Sequence, residues 1–504
     1  MSVRVRFAPS PTGALHIGGI RTALYNYLFA KKHDGAFILR IEDTDQNRFV
    51  KGAESYIEQA LDWAGITPDE GVSAGGDYGP YKQSERKERY KRFSDQLIAD
   101  GKAYLAFDTP DELDAMRERL KEARVANPQY NAITRMQMRN SLTLSSDEVN
   151  ELIAQGQPYV VRIKLPRNED VRFKDLVRGW VVVNTATMDD KVLLKSDGMP
   201  TYHLANIVDD HQMEISHVIR GEEWLPSAPL HVLLYEYLGW EKPEFAHLPL
   251  LLKPDGNGKL SKRAADKLGF PIFPLNWTDP VTQELSKGFM EEGYLSDAFI
   301  NFLALLGWNP GGEKELFRME DLIQLFSLEK INKAGAKFDI EKAKWFNEQY
   351  LKSKSSKVLA EEFISLLDQP VDEKKAISIV ESLKERVTFV KDMIEAGRFF
   401  FEAPQTYDEK TVRKKWNQLA VDKLNGFSDR LKDKDQIEKE EARELLMSYL
   451  AEDETPLGRV MPALRLALTG QAGGPDLMAI IEILGPTEVT NRIKKATDTI
   501  ALND

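Results

Sequence analysis

The sequence predicts an α/β fold followed by a helical C-terminal half. Three observations carry this. Val3, Val5 and Phe7 alternate with Arg4 and Arg6, the period of a half-buried strand, and Ile20, Ala23, Leu24, Tyr27 and Leu28 then recur at helical spacing. The order strand, turn, helix returns at KVLLKSDGMPTYHLANIVDDH, Lys191 to His211. From Leu295 onward the chain reads as helix, in SDAFINFLALLGW, MEDLIQLF and FDIEKAKWFNEQYL, and beyond about Lys352 it is rich in Lys, Glu and Leu at helical spacing.

The remaining elements follow in order. Pro9 and Pro11 stop the first strand, because proline cannot continue a ladder, and Gly13 closes the turn. FILRIEDTD, Phe37 to Asp45, is the next strand. Trp63 to Tyr81 is a Gly- and Asp-rich loop, and GPYKQSERKERY leads into a helix ending near Ala99. Its Lys and Arg read mostly as a solvated face. From Asp108 to about Pro158 helical stretches alternate with polar loops, and YVVRIKLP and GWVVVNT read as strands. This pattern fits an insertion between two halves of a sheet. HVIRGEEWL is a further strand, with Glu222 and Glu223 opening the next helix. No internal repeat stands out.

The chain has 504 residues, 42% hydrophobic and 29% charged, which suits a soluble protein of several domains. No run approaches a membrane span, and the first ten residues lack the apolar core of a secretory signal. A cytoplasmic protein is expected. With 0 Cys there is no disulfide and no thiolate metal site. The net charge of −12 argues against a protein held to nucleic acid by overall charge. It leaves room for a local basic face.

Chemistry is suggested at several places. His16, Gly18 and Gly19 sit where the first helix starts. Free N–H groups there would make an anion site that glycine lets a phosphate approach. The stretch is neither a Walker A loop nor GxGxxG. An ordinary strand–helix unit is the alternative. Glu42 lies at the carboxyl end of a strand, where ligands bind in open sheets, and could meet a cation. Asp43, Asp45, Asn47 and Glu54 match EF-hand positions, but Arg48 stands where the loop needs glycine, and a strand precedes it. Tyr202 and Asn206 are four apart and share a helix face. Arg6 and Arg220 project from strand ends, and paired guanidinium forks suit a carboxylate. Surface ion pairing is the alternative for both. PDGNGKLSKRAA, with Lys259, Lys262 and Arg263, is a mobile basic loop; most such loops are only solvated, and the alternative is that its lysines close on phosphates.

APSPTGALHIGG, residues 8–19, resembles the HIGH stretch of class I aminoacyl-tRNA synthetases in the glutamyl-specific form. Gly19 stands at the fourth position of that motif. KLSKR resembles KMSKS, and GPYKQSER resembles the family segment GPYRQSER. GRVMPALRLALTG, Gly458 to Gly470, resembles the last anticodon-binding subdomain. The resemblance covers nearly the whole chain.

It implies a split doubly wound, Rossmann-like catalytic domain at 1–107 and 189–252. It implies an acceptor-binding α+β insertion at 108–188, a KLSKR and stem-contact region at 253–351, and a helical anticodon-binding domain at 352–504. Residues 269–289 are expected to be an insertion of unknown role. The implied reaction is ATP-dependent formation of glutamyl-adenylate, then transfer to the terminal adenosine of tRNA-Glu. Implied roles are Arg6, Ser10, Glu42, Tyr202, Asn206 and Arg220 for glutamate, with Glu42 on its amino group. His16, Gly18, Gly19, Trp224, Lys259 and Lys262 are implied for ATP, with His16 and the two lysines catalytic. Magnesium would come with ATP. The zinc that some relatives hold on cysteines is not expected, and neither is a membrane partner. A monomer is implied. A glutaminyl-specific relative would carry β-barrels in place of the helical half, and the queuosine-forming relatives lack that half. A non-enzymatic RNA-binding paralogue stays open.

Overall fold

The N-terminal sheet starts with β1 (Arg4–Phe7), which pairs in parallel with β2 (Ala36–Leu39) through α1 (Ile17–Lys32). After α2 (Ala53–Trp63), β2 pairs in parallel with β3 (Glu70–Gly71). The structure, a computed structural model, describes residues 2–502. Two units are distinguished: Met1–Glu292 with Ser296–Ala343, and Gly293–Leu295 with Lys344–Asp504.

Past α3 (Lys87–Ala99) the chain forms β4 (Ala103–Ala106), α4 (Pro110–Glu122), α5 (Ser146–Ala154) and β5 (Val160–Ile163). Both helices start on capping boxes, Thr109 with Glu112 and Ser145 with Glu148, which satisfy the first free N–H groups reciprocally. Next come β6 (Asp170–Asp175), β7 (Gly179–Asn184) and β8 (Val192–Leu194). β4, β5 and β8 make a separate antiparallel sheet, with a small core of Tyr104, Ala106, Met116, Tyr130 and Met138.

The chain continues through α6 (Tyr202–Gln212), β9 (His217–Gly221), α7 (Ala228–Tyr237) and β10 (Glu244–Leu248). A four-stranded sheet runs β7, β6, β10, β9. Its β9 end is joined to β1 by Ser216, whose N–H donates to the Arg4 carbonyl at 2.9 Å and whose Oγ accepts from Arg4 N–H at 2.8 Å. The lateral order is therefore β3, β2, β1, β9, β10, β6, β7. The order reverses direction between β1 and β9, where open α/β sheets bind ligands. β6 was not expected from the sequence, although DVRFKD alternates strictly between exposed and buried residues.

Two adjacent acids on α6 tie these pieces together. Asp210 accepts from Arg6 Nε at 3.0 Å and Arg40 Nη1 at 2.8 Å. Asp209 accepts from Arg86 Nε at 2.6 Å, Tyr90 Oη at 2.8 Å and Gln83 Nε2 at 2.9 Å. Arg86 is 1% exposed, which corrects the reading of its segment as a solvated face in this one respect. The second unit is helical, as expected, around a core that includes Phe363, Trp416, Phe427 and Leu464.

Removing one partner of a buried ion pair strands the other charge. Asp209→Ala should therefore lower stability by about 3–5 kcal/mol in urea unfolding. A loss below about 1 kcal/mol, the range of surface pairs, would contradict the role given to Asp209.

Candidate active site

A cleft of about 460 Å³ opens at the carboxyl ends of β1 and β9. It is lined by Arg6, Ser10, His16, Gly18, Gly19, Glu42, Tyr202, Asn206, Arg220, Trp224 and Lys259, so all but one of the residues implied for glutamate and ATP meet there. Lys262 is the exception. It is the first residue of α8 (Lys262–Leu268), its Nζ lies 3.7 Å from Glu284, and it does not line the cleft.

The start of α1 differs from expectation. The Ile17 N–H donates to the Ile272 carbonyl at 2.9 Å, and Gly18 N–H to His16 Nδ1 at 3.0 Å. Gly19 and Ile20 N–H donate to the His16 carbonyl at 2.8 and 3.2 Å. The four N–H groups are thus satisfied within the chain, and the expectation of free donors is corrected. The reason is local. His16 is the N-cap, and segment 269–289 reaches back to the helix. A Cβ at position 18 would lie 2.8 Å from His16 Cε1, so a larger residue there would push the capping ring aside. Segment 269–289 forms a short antiparallel pair, Trp277–Thr278 with Leu285–Ser286, and is anchored where Tyr56 Oη donates to the Leu275 carbonyl at 2.6 Å.

The two arginines are held differently. Arg6, 3% exposed, presents Nε and Nη2 to Asp210 at 3.0 and 3.2 Å. Arg220, 5% exposed, meets neutral groups: His247 Nε2 from Nε at 3.0 Å, Tyr202 Oη from Nη1 at 2.7 Å, and the Trp224 carbonyl from Nη2 at 3.3 Å. His231 Nδ1 lies 3.4 Å from Nη1. Among the described residues no carboxylate pairs with Arg220. Tyr202 packs on Trp224 with ring centres 4.3 Å apart.

Glu42 accepts from Arg40 Nη2 at 3.0 Å and Asn206 Nδ2 at 3.2 Å. Burial pushes its carboxyl above the usual range in spite of Arg40 and Arg6. A cationic ligand group would reverse that shift. Lys259 Nζ is 3.1 Å from Glu223. Asp43, considered for calcium, instead accepts from Ser84 N–H at 2.8 Å and Ser84 Oγ at 2.6 Å. Among the described residues no group of three or more His, Cys, Asp or Glu could hold a metal ion.

Sequence reasoning missed Asp210, Arg40, Glu223, His231 and His247. Asp210, Arg40 and Glu223 lie inside stretches that were read for other residues. Their importance comes from cross-strand and helix-to-sheet proximity, which no spacing reveals.

The family model described as class I tRNA synthetases (E and Q), catalytic domain, matches residues 2–345, and one described as an anticodon binding domain matches residues 348–497. A protein named glutamate–tRNA ligase from Cytophaga hutchinsonii is 58% identical over 505 residues, covering 99% of this chain and 98% of that one. One of the same name from Amoebophilus asiaticus is 58% identical over 499 residues, covering 98% of each. The crystal structure of a glutamate tRNA ligase from Elizabethkingia meningosepticum in complex with its amino acid superposes with a TM-score of 0.95 at 51% identity, covering 99% of this chain and 100% of that one.

Histidines in contact with the cleft residues Tyr202 and Arg220 set a pH dependence. Burial, with Lys191 adding to it, lowers His203 from 6.5 to about 4, and burial lowers His231 and His247 as well. Such a group gains a proton on unfolding. Its contribution to stability is complete above about pH 6.5 and is lost as the pH falls toward about 4. The thermal midpoint should drop between pH 7 and pH 5, and His203→Gln should flatten that drop. An equal slope in the variant would contradict the assignment.

Proposed function

We propose, for a chain that belongs to the class I tRNA synthetase family of the glutamate and glutamine enzymes, that it is a glutamate–tRNA ligase. It activates L-glutamate with ATP and transfers it to the 3′-terminal adenosine of tRNA-Glu. The observation that carries this reading is Arg220, a buried guanidinium with only neutral partners at the edge of the cleft. A buried cation without a counter-charge is unfavourable, so the site is completed by an acidic ligand. Glutamine's amide would leave that charge uncompensated. Sites built on such contacts reject a mismatch by roughly 10⁴-fold.

The substrate's side-chain carboxylate meets Arg220, helped by the remaining edge of Arg6 and by Tyr202. Its α-amino group meets Glu42, whose ionised form the ammonium favours against the effect of burial. Asn206 orients Glu42, and Ser10 borders the amino acid. The α-carboxylate oxygen attacks the α-phosphorus of ATP in line, and pyrophosphate leaves. His16 with Gly18 and Gly19 borders the phosphates, Trp224 the nucleoside side. Lys259, freed from Glu223, and Lys262, brought in by closure of the loop, spread the charge on the leaving group. The 2′-hydroxyl of the terminal adenosine then attacks the adenylate carbonyl, and AMP departs. Catalysis is mainly positioning and electrostatics. Magnesium would come with the ATP phosphates and help to neutralise their charge.

The catalytic part is read as a Rossmann-like sheet split into 1–107 and 189–252, with the α+β segment 108–188 gripping the acceptor end. The strand order around β1 and β9 supports this. Residues 253–351 contact the stem and 352–504 the anticodon. The setting is the cytoplasm, the species a monomer, and the RNA is held by local basic faces.

Aminoacylation with labelled glutamate, on tRNA-Glu and tRNA-Gln in parallel, tests the reading. Charging of tRNA-Glu is expected, and failure to charge either RNA would overturn it. Arg220→Ala should lower kcat/KM for glutamate by at least about 10³-fold with ATP binding unchanged. An unchanged kcat/KM would sink the pocket assignment.

A further inference from the structure

Behind Arg220 runs a buried chain of polar groups that the proposed reaction does not use. Arg220 and His247 are register partners on the parallel strands β9 and β10, so their side chains share a face. Arg220 Nε donates to His247 Nε2 at 3.0 Å, and His247 Nδ1 lies 2.6 Å from Asp175 Oδ2. A carboxylate only accepts, so Nδ1 carries the proton and Nε2 is left as the acceptor that Arg220 needs. His247 is 0% exposed and Asp175 1%. Burial keeps the imidazole neutral.

Asp175 is itself fixed. Its Oδ1 accepts from Val177 N–H at 2.9 Å and Arg178 N–H at 2.7 Å, in the turn between β6 and β7. Oδ2 is thereby aimed at the ring. The result is geometric. With Nε committed at the back, the guanidinium cannot present its Nε–Nη side to a ligand. The Nη groups remain, resting on Tyr202 Oη and the Trp224 carbonyl in a residue that lines the cleft, and an Nη1–Nη2 edge matches a carboxylate.

We propose that Asp175 and His247 are positioning residues for the glutamate pocket, holding Arg220 by its Nε so that the Nη edge meets the substrate's side-chain carboxylate. This rests on the glutamate reading given above. Neither residue touches substrate. Asp175 sets the tautomer of His247, and His247 sets the orientation of Arg220. Asp175→Asn keeps an oxygen for the turn but aims an NH₂ at Nδ1. The ring then carries its proton on Nε2, donor against donor with Arg220.

The test is steady-state aminoacylation of tRNA-Glu by the full chain and its variants, with KM read separately for glutamate and ATP. Asp175→Asn and His247→Leu should raise the glutamate KM at least tenfold and leave the ATP KM within twofold. His247→Gln, whose Oε1 can accept from Arg220, should recover part of the loss. A purely structural role would lower the active fraction instead, so kcat would fall, both KM values would stay, and Gln would not rescue. That pattern, or a glutamate KM within twofold of the unaltered protein in the folded Asp175→Asn variant, would overturn the proposal. If His247→Leu does not fold, Asp175→Asn and His247→Gln still decide it. Lack of charging by the unaltered chain would instead overturn the functional reading.

Discussion

The N-terminal unit depends on a buried set of charges centred on two successive residues, Asp209 and Asp210. Neighbours on a helix project about 100° apart, so the two carboxylates reach different elements. Asp210 takes Arg6 from β1 and Arg40 just past β2, and Asp209 takes Arg86 and Tyr90 beside α3. With Glu42 on Arg40, three guanidinium groups face three carboxylates. Such pairs recover little net energy after desolvation. Their value is in register, because they join residues more than a hundred positions apart and so fix how α6 sits on strands made much earlier in the chain.

This balance explains the electrostatics of the cleft. Arg6 lies near Arg220 in the same lining, yet its charge is already answered by Asp210. Arg220 stands outside the set and meets imidazole, phenol and carbonyl groups only. Glu42 is strained in the opposite sense, its ionised form disfavoured by burial. One wall of the cleft therefore lacks a negative charge and the other is ready to accept a positive one. A zwitterionic ligand with an acidic side chain supplies both.

Much of this was legible in the sequence. Alternation and proline placed β1, helical spacing placed α1, and the four-residue interval put Tyr202 and Asn206 on one face. The resemblance gathered most of the cleft residues. What remained hidden has a common physical cause. The facing of His247 and Arg220 is a matter of strand register, and the pairing of Arg86 with Asp209 crosses 123 residues of intervening chain. Periodicity reports which face of an element is buried, not which residue lies opposite. β6 was passed over because a short strand of alternating charged residues looks like a polar loop. The donors at the start of α1 were misjudged because one acceptor, the Ile272 carbonyl, lies in a segment for which the sequence suggested no role, and the others belong to His16 itself.

That last contact has a thermodynamic consequence. An anion settling at the start of α1 finds its donors already bonded to Ile272 and His16, so its arrival is an exchange of partners rather than a gain of new ones. The heat released would be the small difference between two sets of hydrogen bonds. The observed dissociation constant would include the work of moving segment 269–289 aside. That segment would then act as an internal competitor for an anion at this helix start.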